Sequence, residues 1–198
     1  MPTEVLFYFF QHKDARVKLE FQLVFQCAPF LKGLRASCGI MVEKSLYHGL
    51  DSIFQETGIT YKKLLEVEDK YLVLLYRRKE LGEALGLIGI RSFLRDFGYD
   101  ERELDKMLRR LSMRTELYTQ GKKGFPHEIG VFLGYPIEDV KGFIKNEGKG
   151  YLMTGYWKVY SDPVRAKWLF RQYDEAKNYA VNEFLTGMSI YEIVQNRW

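Results

Sequence analysis

A chain of 198 residues with 46% hydrophobic and 28% charged side chains has ample material for a folded core, which excludes an intrinsically disordered protein. The net charge of +4 is a mild basic surplus, whereas a dedicated nucleic-acid-binding protein usually clusters its cations more clearly. The two cysteines, Cys27 and Cys38, are too few for a disulfide-stabilised scaffold of this length.

The first residues contain a short apolar run, Val5 to Phe10, but lack the basic region and the small-residue cleavage site of a secretory signal. No stretch approaches the roughly 18–20 apolar residues that a transmembrane helix needs. No Ser-rich or Pro-rich linker divides the chain. We therefore expect one cytoplasmic domain over residues 1–198, without a membrane segment.

The first predicted elements are a helix, a strand and a second helix. Apolar residues at helical spacing predict a helix over 14–28, which Pro29 ends. A short buried strand is predicted over 37–42. The next helix is predicted over 46–57, with the following glycine as its stop.

The pattern then changes to that of a β-hairpin. Two apolar, β-prone runs, 61–67 and 71–77, are separated by three polar residues. A short helix is predicted over 90–97. A longer one is predicted to begin at Asp100, as its N-cap, and to run to about Leu117.

The remaining elements surround a segment rich in glycine and aromatic residues. Pro126 suits the first turn of a helix over 126–133, and a second helix follows over 136–145. Residues 151–160 are predicted to be extended, with Trp157 and Val159 on one side. A long helix then follows an N-cap aspartate and a proline, and a Ser-x-x-Glu capping box opens a last short helix. Together these elements predict an α+β domain, predominantly helical, with a small antiparallel sheet that includes the hairpin near 61–77.

The residues of 127–148, HEIGVFLGYPIEDVKGFIKNEG, and of 155–160, GYWKVY, resemble the signature of a bacterial family of unknown function, seen mostly in anaerobic Gram-positive bacteria. A looser match upstream covers 27–37, CAPFLKGLRAS. The resemblance implies no activity, because the family has none assigned. Members often place cysteines just before the WKVY residues and in the following helix. This chain has none there, so the resemblance implies no thiol-based metal or redox role for it.

Two alternatives stay open for His127 and Glu128. They could form a metal-binding or acid–base pair, but a zincin motif needs a second histidine at the position of Val131. They could instead make local contacts at the start of a helix, where Glu128 complements the helix dipole. Cys27 could be a ligand for a soft metal or a nucleophile working with His127, or it could be a small buried hydrophobe.

The two helices of 126–133 and 136–145 have helix-turn-helix spacing, which would allow DNA binding through the second helix. Glu138 and Asp139 argue against this, because they lie where phosphate or base contacts require neutral or basic groups. Nucleic acid is therefore a possible partner but not the favoured one. A structural helix pair is the alternative.

The segment Gly155 to Tyr160 mixes aromatic rings with a cation and could stack a planar ligand, or it could be a core strand. We favour a non-enzymatic binding or accessory protein that recognises a small planar ligand, a cofactor of unknown identity or a protein partner near residues 126–160. The alternatives are a helix-turn-helix regulator and an enzyme using Cys27 and His127. No metal site is predicted. The candidate ligand-binding residues are His127, Glu128, Tyr156, Trp157, Lys158, Tyr160 and Cys27.

Overall fold

The computed structural model describes residues 3–198, apart from the side chains of Leu6 and Phe10. Helices hold 55% of the residues and strands 13%, so the protein is α+β and mostly helical, as predicted. The helices are α1 (Thr3–Phe10), α2 (Ala15–Leu31), α3 (Gly49–Phe54), α4 (Arg78–Gly86), α5 (Ile88–Arg95), α6 (Leu104–Thr119), α7 (Ile129–Phe132), α8 (Ile137–Lys145), α9 (Pro163–Leu185) and α10 (Ile190–Gln195). The strands are β1 (Ser37–Glu43), β2 (Thr60–Val67), β3 (Lys70–Tyr76), β4 (Met153–Thr154) and β5 (Lys158–Val159).

The larger sheet is antiparallel, with strand order β1-β3-β2. The predicted hairpin is confirmed: β2 and β3 pair from Val67 opposite Lys70, and two residues form the turn between them. On its other side β3 pairs with β1 from Ser37 opposite Tyr76. The strand predicted over 37–42 is thus confirmed, and β3 is the central strand of the sheet.

Helices cover both faces of this sheet because the side chains of a strand alternate between its faces. Val73 and Leu75 of β3 join a core with α2, α3, α9 and α10. Leu74 and Tyr76 join a second core with α4 to α8. A third, smaller core forms around Trp157, where the β4–β5 ribbon packs on α9.

Pro29 does not end α2, contrary to the prediction. The helix continues to Leu31, because a proline in the last turn removes only one N–H group from the helical ladder and its ring is buried. The helix ends where Gly33 adopts a φ of +84°. The N–H of Leu34 then donates to the carbonyl of Pro29 at 2.8 Å, as in a Schellman cap.

Other boundaries also differ from the predictions. The predicted helix over 46–57 is only a 3₁₀ turn followed by the six residues of α3. Asp100 is not the N-cap of α6: the chain stays irregular until Glu103, which has the extended backbone of a cap residue. Helix α4 was not predicted at all. Its glycines, Gly82 and Gly86, weaken the helical pattern, whereas Leu81 and Leu85 stabilise it by burial in the second core.

Local capping signals gave correct boundaries near the C-terminus. The side chain of Asp162 accepts a hydrogen bond from the N–H of Arg165 at the start of α9. Ser189 and Glu192 form the predicted capping box of α10. Among the helices of residues 3–198, none combines the length and the apolar character that a membrane span requires.

Candidate functional site

A cleft of about 320 Å³ opens beside α7, α8 and β5, and Leu72 of β3 also belongs to its lining. Most of its lining is apolar or aromatic, and it also contains the imidazole of His127, the carboxylate of Asp139 and the ammonium of Lys158. The lining residues are Leu72, Phe125, His127, Ile129, Gly130, Leu133, Tyr135, Asp139, Val140, Phe143, Trp157 and Lys158.

Flat side chains line this cleft in close succession. The imidazole of His127 lies between two rings, with centroids 5.2 Å from Phe125 and 5.1 Å from Phe143. Tyr135 and Trp157 lie 5.7 Å apart at an interplanar angle of 30°. Such surfaces favour flat ligands, since aromatic faces and edges give stacking contacts that aliphatic walls cannot.

Lys158 adds a positive charge to the cleft. Its ammonium donates to the carbonyl of Gly148 at 2.8 Å and lies 5.0 Å from the ring centroid of Tyr151 and 5.7 Å from that of Phe143. Within residues 3–198, no carboxylate forms an ion pair with it. An ammonium has three donors, so Lys158 can bind a further acceptor.

Asp139 fixes the aromatic segment beside α8. This side chain is buried, and one carboxylate oxygen accepts from the indole N–H of Trp157 at 2.7 Å. The other oxygen accepts from the backbone N–H groups of Tyr160 and Ser161, at 2.8 and 2.9 Å, and from the Ser161 hydroxyl at 2.8 Å. A buried carboxylate needs such donors, and here they come from the segment that carries Lys158.

Two glycines allow these elements to approach closely. A Cβ atom on Gly130 would lie 2.7 Å from a methyl group of Val140, so α7 and α8 could not pack as they do. A Cβ atom on Gly142 would lie 2.5 Å from the Cβ of Tyr160. The small residues of α7 and α8 thus determine the shape of the cleft.

The short helix α7 is a single turn, not the helix predicted over 126–133. The N–H groups of Ile129 and Gly130, the first two residues of α7, donate to the carbonyls of Pro126 and His127 at 2.9 and 3.1 Å. These bonds span three residues, so the chain leading into α7 forms tight turns instead of an α-helix. The hydroxyl of Ser37 donates to the carbonyl of Phe132 at 2.5 Å, and Arg35 donates to that of Leu133. Side chains preceding and within β1 therefore bind the carbonyl groups at the end of α7.

Glu128 is fully buried and is not part of the cleft lining. One of its oxygens accepts from the hydroxyl of Tyr99 at 3.1 Å and from the guanidinium of Arg114. Burial, together with this carboxylate, raises the pKa of the Tyr99 phenol. Glu128 therefore links the start of α7 to α6 and does not line the cleft.

Tyr156 and Tyr160 are also not part of the cleft lining. The hydroxyl of Tyr156 donates to Asp174 of α9 at 2.9 Å, and burial raises the pKa of this phenol. Tyr160 packs over Gly142 of α8. Its hydroxyl oxygen is buried without a hydrogen-bond partner among the described residues.

Cys27 lies apart from the cleft, in the core between α2 and the larger sheet, and its side chain is buried. Contact with the thiol of Cys38 and burial raise its pKa well above the ordinary value. A thiol is a poor nucleophile unless it ionises. The structure therefore brings together His127, Trp157 and Lys158, and it leaves Cys27, Glu128, Tyr156 and Tyr160 outside.

Sequence reasoning did not include several residues of the cleft among the candidates. Phe125, Tyr135 and Phe143 flank the predicted residues, and their aromatic character was the available signal. The role of Asp139 was missed because its charge was weighed only against DNA. Leu72 comes from the hairpin, and nothing in the local sequence connects it with this site. Within residues 3–198, the side chains of His, Cys, Asp and Glu form no cluster of three or more that could bind a metal ion.

Comparisons with curated proteins and with solved structures gave no match. The comparison with protein families gave one, to proteins of unknown function, over residues 23–194. That range includes the second half of α2, all of α3 to α9, most of α10 and every residue that lines the cleft. The chain belongs to the DUF3793 family of proteins of unknown function.

Proposed function

We propose that this protein is a non-catalytic binding protein whose cleft beside α7, α8 and β5 takes up one small, flat ligand. The observation that supports this most strongly is the arrangement of aromatic side chains around the cleft, with His127 between Phe125 and Phe143 and with Trp157 beside Tyr135. Pockets that bind small molecules are typically concave and apolar, with a few polar groups that orient the ligand.

The size of the cleft narrows the class of ligand. A volume of about 320 Å³ lies at the low end of the range for small-molecule sites. This favours a compact ring system over an extended dinucleotide. A groove of about 470 Å³ that shares Tyr135 and Trp157 with the cleft is lined by more charged groups, including Glu138, Asp162 and Arg165, and is less suited to a flat apolar molecule.

The two other functions considered from the sequence have less support. A DNA-binding helix pair needs a first helix that supports the second, but α7 is one turn long, and Asp139 is buried against Trp157. An enzyme using Cys27 and His127 needs the two side chains in reach of each other. Cys27 lies in the core with Cys38, while His127 is exposed at the cleft.

We also propose that the chain works as one domain in the cytoplasm. Cys27 and Cys38 are both buried free thiols, as is usual in a reducing compartment. Both large cores share the same sheet, so the helices on its two faces should unfold together. Limited proteolysis that releases a stable, folded fragment from within residues 23–194 would contradict the single domain.

Fluorescence titration with phenylnaphthylamine, an uncharged flat probe that brightens in apolar surroundings, tests the proposed cleft. We expect saturable binding of one probe per chain. Leu72→Trp and Leu133→Trp each add a large ring to the lining of the cleft, and each should abolish binding. Val67→Trp is the matched control, because Val67 lies on the same hairpin but is exposed and outside the cleft.

Circular dichroism verifies that each variant is folded. Unchanged binding by folded Leu72→Trp and folded Leu133→Trp would contradict the proposal. So would the absence of any saturable binding to the native chain.

A further inference from the structure

The ammonium of Lys158 in the cleft can donate further hydrogen bonds. Lys158 lines the cleft, and among the described residues its ammonium donates to one hydrogen-bond acceptor, the Gly148 carbonyl, at 2.8 Å. Its ammonium lies near the rings of Tyr151 and Phe143. No ion pair with Asp or Glu neutralises it within residues 3–198. A half-buried ammonium beside aromatic walls therefore has donors available for an anion.

The one carboxylate in the cleft lining does not compete for this ammonium. Both oxygens of Asp139 are occupied by donors from Trp157, Tyr160 and Ser161. Those donors offset the charge of the carboxylate, and they hold it 4% exposed. Asp139 therefore acts as a hydrogen-bonded structural group and not as a counter-ion of Lys158.

The surrounding chain is also more basic than the protein as a whole. Residues 122–158 contain six lysines against four acidic residues, and two of these acids, Glu128 and Asp139, are buried. Glu128 forms an ion pair with Arg114, and Asp139 accepts hydrogen bonds on both oxygens. The exposed acids are Glu138, which pairs with Lys141 at 3.1 Å, and Glu147. A local surplus of positive charge attracts anions and raises their local concentration.

We infer that the ligand of this cleft is a flat aromatic or otherwise planar molecule that carries an anionic group, such as a carboxylate, sulfonate or phosphate, and that Lys158 binds this group. The inference rests on the proposed function, and adds to it the chemical class of the ligand and the residue that selects it. Stacking on the rings would bind the flat part, while the ammonium would bind the charged end.

A pair of probes with the same aromatic skeleton tests this inference. Anilinonaphthalene sulfonate has the two ring systems of phenylnaphthylamine plus one sulfonate. Lys158→Met should weaken binding of the sulfonate probe about tenfold, since hydrogen bonds to charged groups contribute that much or more. The same variant should leave binding of the uncharged probe within about twofold. Lys158→Arg should retain most of the affinity for the sulfonate probe, because it keeps the charge.

Lys167→Met is the control, because Lys167 is an exposed lysine of α9 outside the cleft, and neither probe should distinguish this variant from the native chain. Equal weakening of both probes by Lys158→Met, or no weakening of either, would overturn the anion-binding role and leave the proposed function standing. Binding of neither probe to the native chain would overturn the proposed function itself. High salt should reduce the difference between the probes, as screening of an ionic contact requires.

Discussion

Two lysines, Lys32 at the end of α2 and Lys158 in β5, lie in contrasting surroundings. Lys32 is 2% exposed, and its ammonium contacts both oxygens of Glu183 at 3.0 Å and also the carbonyl of Asn196. Lys158 lines a cleft and contacts one carbonyl oxygen. A buried cation needs a full set of partners, whereas a cation at a binding site keeps donors for the ligand. The surroundings of Lys32 are therefore those of a structural ion pair, whereas those of Lys158 fit the proposed binding role of the cleft.

The largest effect on stability should come from Lys32. Lys32→Met leaves Glu183 buried without its counter-charge, and breaking such a pair costs about 3–5 kcal/mol. Urea denaturation followed by circular dichroism would measure the loss. The double variant Lys32→Met, Glu183→Met should recover part of it, because no unpaired charge remains. A loss below about 1 kcal/mol for the single variant would contradict this prediction, because a loss of that size is typical of a surface ion pair.

The second largest loss of stability is expected for a substitution of Asp139, because this side chain fixes the aromatic segment beside the cleft. In Asp139→Asn one oxygen becomes an NH2 group, which cannot accept from the Trp157 indole or from the backbone N–H groups. We expect a loss of about 2–3 kcal/mol in the free energy of unfolding.

Glu138→Gln is the control for Asp139→Asn, since the neighbouring Glu138 is exposed and forms only a surface ion pair. Its effect should stay within about 0.5 kcal/mol. If urea denaturation gave equal losses for both variants, the anchoring role of Asp139 would be wrong.

Alanine substitutions at two helical glycines should change stability by smaller amounts and in opposite directions. Gly142→Ala places a Cβ atom against Tyr160 and should destabilise the protein by about 1–3 kcal/mol. Gly82→Ala in α4 meets no atom within 4 Å and should stabilise it by about 0.5–1 kcal/mol, because alanine favours helix. Thermal melts of the two variants in opposite directions would verify that close packing, rather than helix propensity, requires Gly142.

The smallest effect is expected when a thiol reagent is added to the native protein, because Cys27 should not react with it. Because contact with Cys38 and burial raise its pKa, the thiol stays protonated as pH rises through the range in which a free cysteine ionises. An aromatic disulfide reagent at pH 8 should leave the native protein unmodified and should label Cys27 and Cys38 after unfolding in guanidinium. Rapid labelling of native Cys27, located by peptide mass spectrometry, would restore it as a candidate nucleophile.

Short-range chemistry accounts for the parts of the fold that could be predicted. The hairpin follows from two β-prone runs around a polar turn, and the starts of α9 and α10 follow from caps made by Asp162 and Ser189 within three residues. Predictions failed where tertiary burial outweighed local preference, as in α4, and where Pro29 was accommodated in the last turn of α2.

The cleft could be predicted only in part for the same reason. His127, Trp157 and Lys158 belong to one aromatic and basic stretch, so composition pointed to them. These three residues line the cleft together with Leu72 because the hairpin packs beside α7. No local sequence pattern predicts that packing. Cys27 and Glu128 had chemically suitable side chains, but the fold turns both into the interior.

The most direct test of the central claim uses the indole N–H signals of the three tryptophans, Trp157, Trp168 and Trp198, in a proton–nitrogen NMR spectrum. Trp157 lines the cleft, whereas Trp168 and Trp198 are exposed and lie outside it. Titration with anilinonaphthalene sulfonate should shift the Trp157 signal saturably and leave the other two in place. A stationary Trp157 signal, while the probe binds and shifts Trp168 or Trp198, would contradict a ligand site in this cleft.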